Sequence, residues 1–475
     1  MRLPSSTPNS QVDFSNEADA KEFVRQISSP ELMDFARKAN DRYFHWDEVR
    51  FRDQFEEFVP SNAWRVIKWT RRQQYQPLPL KAIGNLLFNF WVPPQHQEWL
   101  HRLDQDAGGM IGAVSDDAIS ENKEKYLINS LMEEAIASSQ LEGASTTRAI
   151  AKSMLQSKRE PKNGSEMMIH NNYKAIQEIQ TLKEQPLTPK MLTHLQEIIT
   201  AGCLDHDAEG GRFRIPEDGE VVVIDNKTGE VMFQPCDSKE VDARIKQLCL
   251  FANEKSDKFI HPIIKAIILH FMIGYIHPFA DGNGRTARAV FYWYMLSQGY
   301  WLFEYLPISR MFLKSPIQYG RAYLYTEHDE NDLTYFTHYH LKKINEAVDD
   351  LIGHLKDEQA LKRKASAALK GRSNINHRQL MMMMEFLKDS HLRTTVHQYA
   401  AMYRVARGTA TADLTQLVDE GLLRKTKNGR AFIFSAAHGL RKSLLQEADE
   451  TVSNSTDHPD GIKPLKNQKT LGFED

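Results

Sequence analysis

Between Ile263 and Ile276 the chain is apolar and long enough for a buried helix, too long for a strand. A second apolar run, Ala289–Leu296, follows it closely. The two are joined by His277-Pro-Phe-Ala-Asp-Gly-Asn-Gly-Arg-Thr-Ala-Arg288. Two core helices and a tight loop between them are the frame that the rest of the chain must cover. Asp281-Gly-Asn-Gly284 is turn chemistry, because Gly accepts positive φ freely and Asn often does. The loop runs directly into a helix N-terminus, where free backbone N–H groups and the helix dipole attract anions. Arg285 and Arg288 are spaced to face one way on that helix.

Each residue of the loop has a chemical use. His277 titrates near neutrality and suits a general base. Asp281 offers a hard oxygen for Mg²⁺, which usually takes one or two carboxylates together with phosphate oxygens. Gly282, Asn283 and Gly284 leave the backbone open to a phosphate. Arg285 and Arg288 can grip phosphate oxygens through planar forks. Any one of these residues could be an ordinary core or surface residue. Together they describe a polyphosphate site.

The string resembles the signature of Fic proteins, His-x-Phe-x-Asp/Glu-Gly-Asn-Gly-Arg-x-x-Arg, at every fixed position. The resemblance implies a mainly α fold: a Fic-type helical core with a small β-hairpin flap. It implies a protein adenylyltransferase that moves AMP from ATP to a Ser, Thr or Tyr hydroxyl of a target protein, the enzyme itself among its targets. His277 would deprotonate the hydroxyl, Asp281 would hold Mg²⁺, and Asn283 would help fix the α-phosphate beside Gly282 and Gly284. Arg285 and Arg288 would hold the β- and γ-phosphates. Family members that act as kinases carry Lys where this chain has Gly284.

Composition narrows the class further. A chain of 475 residues has material for two to four domains. Lys plus Arg number 60 and Asp plus Glu 63, a balance unlike that of a protein whose whole surface binds nucleic acid or membrane. Cys203, Cys236 and Cys249 are widely spaced and odd in number, which fits a reducing cytoplasm rather than a disulfide framework or zinc site. No stretch has the length of a membrane span, and the N-terminus has no apolar signal core.

Along the chain, residues 1–17 are expected to be disordered and 18–120 to form a helical lobe, with Trp46, Trp64, Trp69, Trp91 and Trp99 anchoring it. The catalytic core is expected over 121–345. Within it Tyr126–Gly143 reads as a helix with Gly143 as its stop. Ser138 and Glu142 share a face of that helix. Ser138-x-x-x-Glu142-Gly143 is similar to the inhibitory motif of Fic proteins, in the class whose inhibitory helix precedes the core. That resemblance implies autoinhibition: Glu142 would hold the Arg288 guanidinium that the γ-phosphate needs. Residues 210–235 carry two β-branched runs around Asp225-Asn-Lys-Thr-Gly229 and read as a hairpin, taken as the sole β signal of the core. The resemblance makes it the flap that pairs with an extended target segment. Arg212 and Arg214, in its lead-in, read as structural. Tyr319 or Tyr323 is placed to stack on adenine by the same resemblance.

A charged connecting helix is expected over 346–375 and a disordered tail over 450–475. Residues 376–436 read as helix, helix–turn–helix and basic hairpin, resembling a winged-helix-like domain. They carry nine Lys and Arg against five Asp and Glu. DNA and a protein are both open as its partner, and homodimerisation is open too. Two rival functions follow: a DNA-binding regulator that uses the core to sense nucleotide, and a hydrolase that removes AMP, with Glu142 activating water.

Overall fold

The computed structural model describes residues 2–52, 55, 57–105, 123–225, 228–254, 258–369, 375–388, 392–428, 431–438 and 440. The expected tail at 450–475, Asn226 and Lys227 of the hairpin turn, and Gly429 lie outside them. The chain divides into two compact units, one ending at Leu351 and the other starting at Ile352.

The first unit is built on two helices, α11 (Pro262–Ile276) and α12 (Asn283–Ser297). The elements before them are α1 (Glu17–Ile27), α2 (Pro30–Asp41), α3 (Trp46–Val49), α4 (Pro60–Arg72), β1 (Gln76–Lys81), β2 (Leu87–Phe90) and α5 (Pro94–Gln105). Then come α6 (Lys123–Leu141), α7 (Arg148–Ser157), α8 (Gly164–Leu182), α9 (Pro189–Thr200), β3 (Val223–Ile224), β4 (Val231–Phe233) and α10 (Ser238–Asn253). After α12 come α13 (Ile308–Lys314), α14 (Pro316–His328) and α15 (Thr334–Leu369), the last crossing the division between units.

Helix α11 is apolar all round, so it can only be a core helix, and every residue except Gly274 is buried from Ile263 to Ile276. Its start is set by Pro262 at the first position and by the His261 side chain, which accepts from the Ile263 N–H. Helix α9 starts the same way, with Thr188 capping Met191 and Pro189 next to it. Helix α12 packs against α11, α9, α8 and α6. The Trp293 indole donates to the Leu182 carbonyl at 3.1 Å and ties α12 to α8.

Helix α6 is fastened by one buried carboxylate. Glu134 accepts from the Tyr292 hydroxyl at 2.7 Å, from the Ser309 N–H at 2.9 Å and from the Ser309 hydroxyl. Burial pushes this carboxyl above its ordinary range, against those hydrogen bonds. The helix thereby gains a fixed position over α12 and α13.

The N-terminal elements meet the core through buried charge and through Trp99, whose ring lies 5.2 Å from that of His338 on α15. Lys68 is fully buried and lies 2.9 Å from the Asp329 carboxylate. Arg71, also fully buried, donates to the Tyr335 hydroxyl at 2.7 Å, and the Tyr43 hydroxyl donates to Asp332 at 2.6 Å. Of the five tryptophans, Trp64 is the deeply buried one, and it packs with Leu32, Phe35 and Ile67 inside the lobe itself. Residues 2–16 carry no helix or strand, and Arg72 donates to the Ser10 carbonyl at 3.0 Å.

A hairpin at 76–90 corrects the reading of 18–120 as a purely helical lobe. Strands β1 and β2 pair antiparallel, Gln76 opposite Phe90. Ile83, Gly84 and Asn85 turn between them, closed by the Asn85 N–H on the Ala82 carbonyl at 3.2 Å, with Gly84 and Asn85 in the left-handed region at φ of 85° and 65°. Pro77 and Pro79 hid the strand, since proline is tolerated only at a sheet edge. The expected hairpin is present as well, with Val223 opposite Phe233.

The second unit contains the end of α15, then α16 (His377–Lys388), β5 (Arg393–Thr395), α17 (Val396–Tyr403), α18 (Arg407–Asp419), β6 (Leu423–Asn428) and β7 (Ala431–Ala436). The strands form one sheet in the order β5-β7-β6. Met382, Met383, Phe386, Tyr399, Leu414 and Phe434 form its core.

Candidate active site

The loop begins where α11 ends. His277 takes the left-handed cap conformation, φ 51°, and its N–H closes the helix on the Ile273 carbonyl at 3.0 Å. Its Nδ1 lies 3.1 Å from the Gly274 carbonyl. A carbonyl only accepts, so this contact assigns the ring proton to Nδ1 and leaves the lone pair on Nε2. Burial lowers the imidazole pKa from its ordinary value, with the Gly274 carbonyl pulling the other way. The ring is therefore neutral at pH 7 with its basic nitrogen fixed. Gly274 is required here, because a Cβ would stand 2.5 Å from the Tyr323 hydroxyl oxygen.

Arg214 holds the head of the loop. Its Nε donates to the His277 carbonyl at 2.8 Å, its Nη2 to the Cys236 carbonyl, and its backbone N–H to the Pro278 carbonyl at 2.9 Å. One buried guanidinium thus joins the loop to both ends of the 210–235 segment. Arg212 is paired with Asp218 at 2.6 Å and also donates to the Ala208 carbonyl. Gln196 of α9, fully buried, adds a second link: it accepts from the Gly211 N–H at 2.7 Å and donates to the Asp281 carbonyl at 3.2 Å.

Inside the loop, Asn283 is bonded to Phe279. Its side-chain amide donates to the Phe279 carbonyl at 2.8 Å and accepts from the Phe279 N–H at 2.9 Å. With both ends engaged and the residue buried, it shapes the loop, and one amide N–H is left beyond these two bonds. Gly282 follows at φ 88°, with the Thr200 methyl 2.9 Å from where a Cβ would be. Helix α12 starts at Asn283, so the N–H groups of its first turn have no partner within the helix.

The two arginines behave differently. Arg285 is 1% exposed; it donates to the Ile199 carbonyl and to Asp281, each at 3.1 Å. It braces the loop from behind, where the sequence places it on the anion side. Its two Nη groups are thus bonded within the protein, while its buried Nε has no partner among the described residues. Asp281, with its side chain 54% exposed, also accepts from the Gly282 N–H at 2.6 Å. One half-open carboxylate beside an anion loop fits a divalent ion completed by phosphate oxygens. Among the described residues no group of three or more His, Cys, Asp or Glu side chains is arranged to hold a metal alone.

Arg288 is 2% exposed and points at the end of α6. Its Nε donates to the Ser138 hydroxyl at 2.8 Å, and its Nη2 to the Ser138 carbonyl and to Glu142 Oε1, each at 2.9 Å. Glu142 is not on the helix proper, which stops at Leu141. Gly143, at φ 95°, donates to the Gln140 carbonyl and Ala144 to the Ser139 carbonyl, the paired bonds of a Schellman end. That ending turns Glu142 toward α12. A Cβ on Gly284 would lie 2.1 Å from Glu142 Oε1, so the carboxylate rests on the bare backbone of the anion loop.

Tyr319 sits beside Arg288 but is already covered. Its hydroxyl meets His270 Nε2 at 2.8 Å, and its ring stacks on Phe312 at 4.9 Å between centroids. One face of the ring is taken, which leaves it less suited to stack on a base than the sequence suggests. Gln196 and Glu134 are the residues that sequence reasoning missed as builders of the site. The one available signal was a glutamine in the apolar stripe Met191, Leu192, Leu195, Ile199.

Comparison with known proteins places this geometry. Residues 186–295 match the model of the Fic/DOC family. The protein adenylyltransferase fic-1 of Caenorhabditis elegans is 30% identical over 26% of this chain and 23% of its own length. The protein adenylyltransferase Fic of Drosophila mojavensis is 27% identical over 34% of this chain and 30% of its own. This chain therefore spans less than a third of those relatives. A Fic family protein from Desulfovibrio desulfuricans G20 superimposes with a TM-score of 0.47 at 17% identity, covering 72% of this chain and 96% of that one. The His277–Arg288 loop, α11, α9 and all but the last two residues of α12 fall within the stretch that matches the Fic/DOC family model.

Proposed function

We propose that this protein is an adenylyltransferase that moves AMP from ATP onto a hydroxyl of a protein, itself included. The observation that carries the reading is the neutral, buried His277 with Nε2 left basic at the mouth of an anion-binding helix N-terminus. The triphosphate would lie along the loop, on the first-turn N–H groups of α12. His277 Nε2 takes the proton of the target hydroxyl. The oxygen attacks the α-phosphorus, the bond to the bridging oxygen breaks, and pyrophosphate leaves. A Mg²⁺ ion beside Asp281 would supply charge neutralisation to the phosphates. Arg214 keeps His277 and the β3–β4 hairpin in one frame, so a target strand added to the hairpin edge would arrive in register with the base.

In this reading the Glu142–Arg288 pair is autoinhibitory. The carboxylate occupies the guanidinium and the surface above Gly284, so a triphosphate that binds would lie out of line for attack. The test is transfer from ATP labelled at the α- or the γ-phosphate, in the Glu142→Gly background. Label from the α-position alone, lost about 10²–10⁴-fold in His277→Ala, is expected for a general base. Transfer of the γ-label, or unchanged labelling in His277→Ala, would refute the assignment.

A further inference from the structure

The second unit carries a surface that the chemistry of the first does not use. On α18, Ala410, Leu414 and Leu417 face the core, while Arg407, Gly408, Thr409, Thr411 and Ala412 are exposed. The exposed face is made of short side chains, and nothing lies within 4 Å of where a Cβ on Gly408 would be. The helix has no side-chain cap at Ala406, so its first N–H groups point outward beside Arg404 and Arg407.

Acidic charge is kept off this face. Asp413, the one carboxylate of α18 before its last turn, is buried and turned inward. It accepts from Asn376 at 2.7 Å, Arg378 at 3.0 Å and the Tyr399 hydroxyl at 3.1 Å. The same network fixes α18 against α16 and α17.

The strand register adds a second basic element on the same side. Lys425 stands opposite Phe434 and Lys427 opposite Phe432. Directly opposed residues project from one face of a sheet. Phe434 and Leu423 on that face are buried against the helices, whereas Lys425, Lys427 and Phe432 are exposed. The hairpin therefore runs past the helical cover with its lysines on the α18 side. Lys425 also lies 4.3 Å above the Phe432 ring, which holds the ammonium out along the strand.

We propose that this unit is a winged-helix module that docks on duplex DNA. Helix α18 enters the major groove and the β6–β7 hairpin lies on the neighbouring phosphates. A 13-residue helix is about 20 Å long and fits a groove about 12 Å wide. Thr411 and Ala412 can approach base edges and thymine methyl groups, and Arg404, Arg407, Lys425 and Lys427 supply phosphate contacts, Arg424 projecting from the opposite face of the sheet.

The test uses the full chain without ATP and a labelled mixed-sequence DNA duplex, read by fluorescence anisotropy across salt. Four neutralised phosphates predict that affinity falls about 150-fold between 50 and 200 mM salt. Lys425→Gln with Lys427→Gln should reduce that fall to about 12-fold. Thr411→Glu, at an exposed position, should weaken binding at every salt concentration while thermal unfolding stays unchanged. Failure of the wild type to bind at 50 mM salt would overturn the proposal and leave the surface to a protein partner. So would an unchanged salt slope in the double variant, or equal affinity for duplex RNA, whose narrow major groove admits no helix.

Discussion

Glu142→Gly is the perturbation whose effect follows most directly from the geometry. Glu142 makes one charge-assisted hydrogen bond, 2.9 Å long, to a guanidinium whose side chain is 3% exposed. Its own side chain is 34% exposed, so water screens the pair in part and a full buried-pair energy is too large. A hydrogen bond to a charged group is worth about 1.5–3 kcal/mol, which corresponds to a factor of about 10–150 in occupancy. Removing the carboxylate should raise the rate of AMP transfer, self-labelling included, within that range. The rest of the arrangement stays, because Arg288 keeps both contacts to Ser138, and Gly143 still ends the helix. Glu142→Gln should fall between wild type and glycine, since an amide can occupy the same space and lacks the charge. The double variant Glu142→Gly, Arg288→Ala should lose the gain. The assay is single-turnover labelling from α-labelled ATP at saturating Mg²⁺. Equal rates in wild type and Glu142→Gly would refute autoinhibition. A loss of AMP removal from a pre-modified substrate in the same variant would instead favour Glu142 as an activator of water.

Gly284→Ala should destabilise the wild type by about 1–2 kcal/mol, because its Cβ displaces Glu142; in the Glu142→Gly background it should be neutral or stabilising by up to about 1 kcal/mol, as for Gly→Ala in a helix. Denaturant unfolding of the four variants reads the difference, and equal effects in both backgrounds would contradict the contact. Asp281→Ala should abolish the response of turnover to added Mg²⁺ while leaving the fold intact, and turnover insensitive to chelation in the wild type would refute a metal at this carboxylate. Folding should be acid-labile: burial lowers His45 to about 4 and His338 and His340 to about 3, and lowers His270 and His277 as well. The unfolded chain binds these protons below about pH 6.5 and the folded chain does not, so stability falls as pH drops from there, by about 1.4 kcal/mol per pH unit for each group. A melting temperature that is flat between pH 7 and pH 5 would show these rings to be protonated in the folded state.

What the sequence disclosed is what local pattern can encode. The apolar runs flanking His277 required two buried helices, and the mainly helical class followed. Gly143 announced the end of α6 and the Asp225–Gly229 turn announced a hairpin, because both depend on neighbouring residues alone. The misses share another cause. Whether Arg285 faces a phosphate or the Ile199 carbonyl depends on how α9 packs, 86 residues away. Asn283 closes on Phe279 because the loop folds back, a closure that the letters Gly-Asn-Gly do not specify. Prolines in β1 argued against a strand that survives at a two-stranded edge.

The same contrast explains why so few residues appear free to do chemistry. Of the signature side chains, Asn283 and Arg285 are used to hold the loop, and Arg288 is held by α6. His277 Nε2, the Asp281 carboxylate and the bare backbone of Gly284 remain open. A loop that must present a base, a metal ligand and a row of N–H groups cannot rely on its glycines for rigidity, since glycine is the least rigid residue. The stiffness has to come from buried polar side chains that bond to backbone carbonyls on other elements, which Arg214, Gln196 and Arg285 provide. The signature is thus two sets of residues interleaved, one facing the ligand and one facing the scaffold. The scaffold set can be recognised by a split between binding and turnover: substituting Arg214 by Lys should leave ATP affinity near wild type but slow transfer, because the hairpin and His277 would no longer share a clamp. Wild-type transfer in Arg214→Lys, or a loss confined to ATP binding, would break the argument that this buried arginine aligns the target with the base.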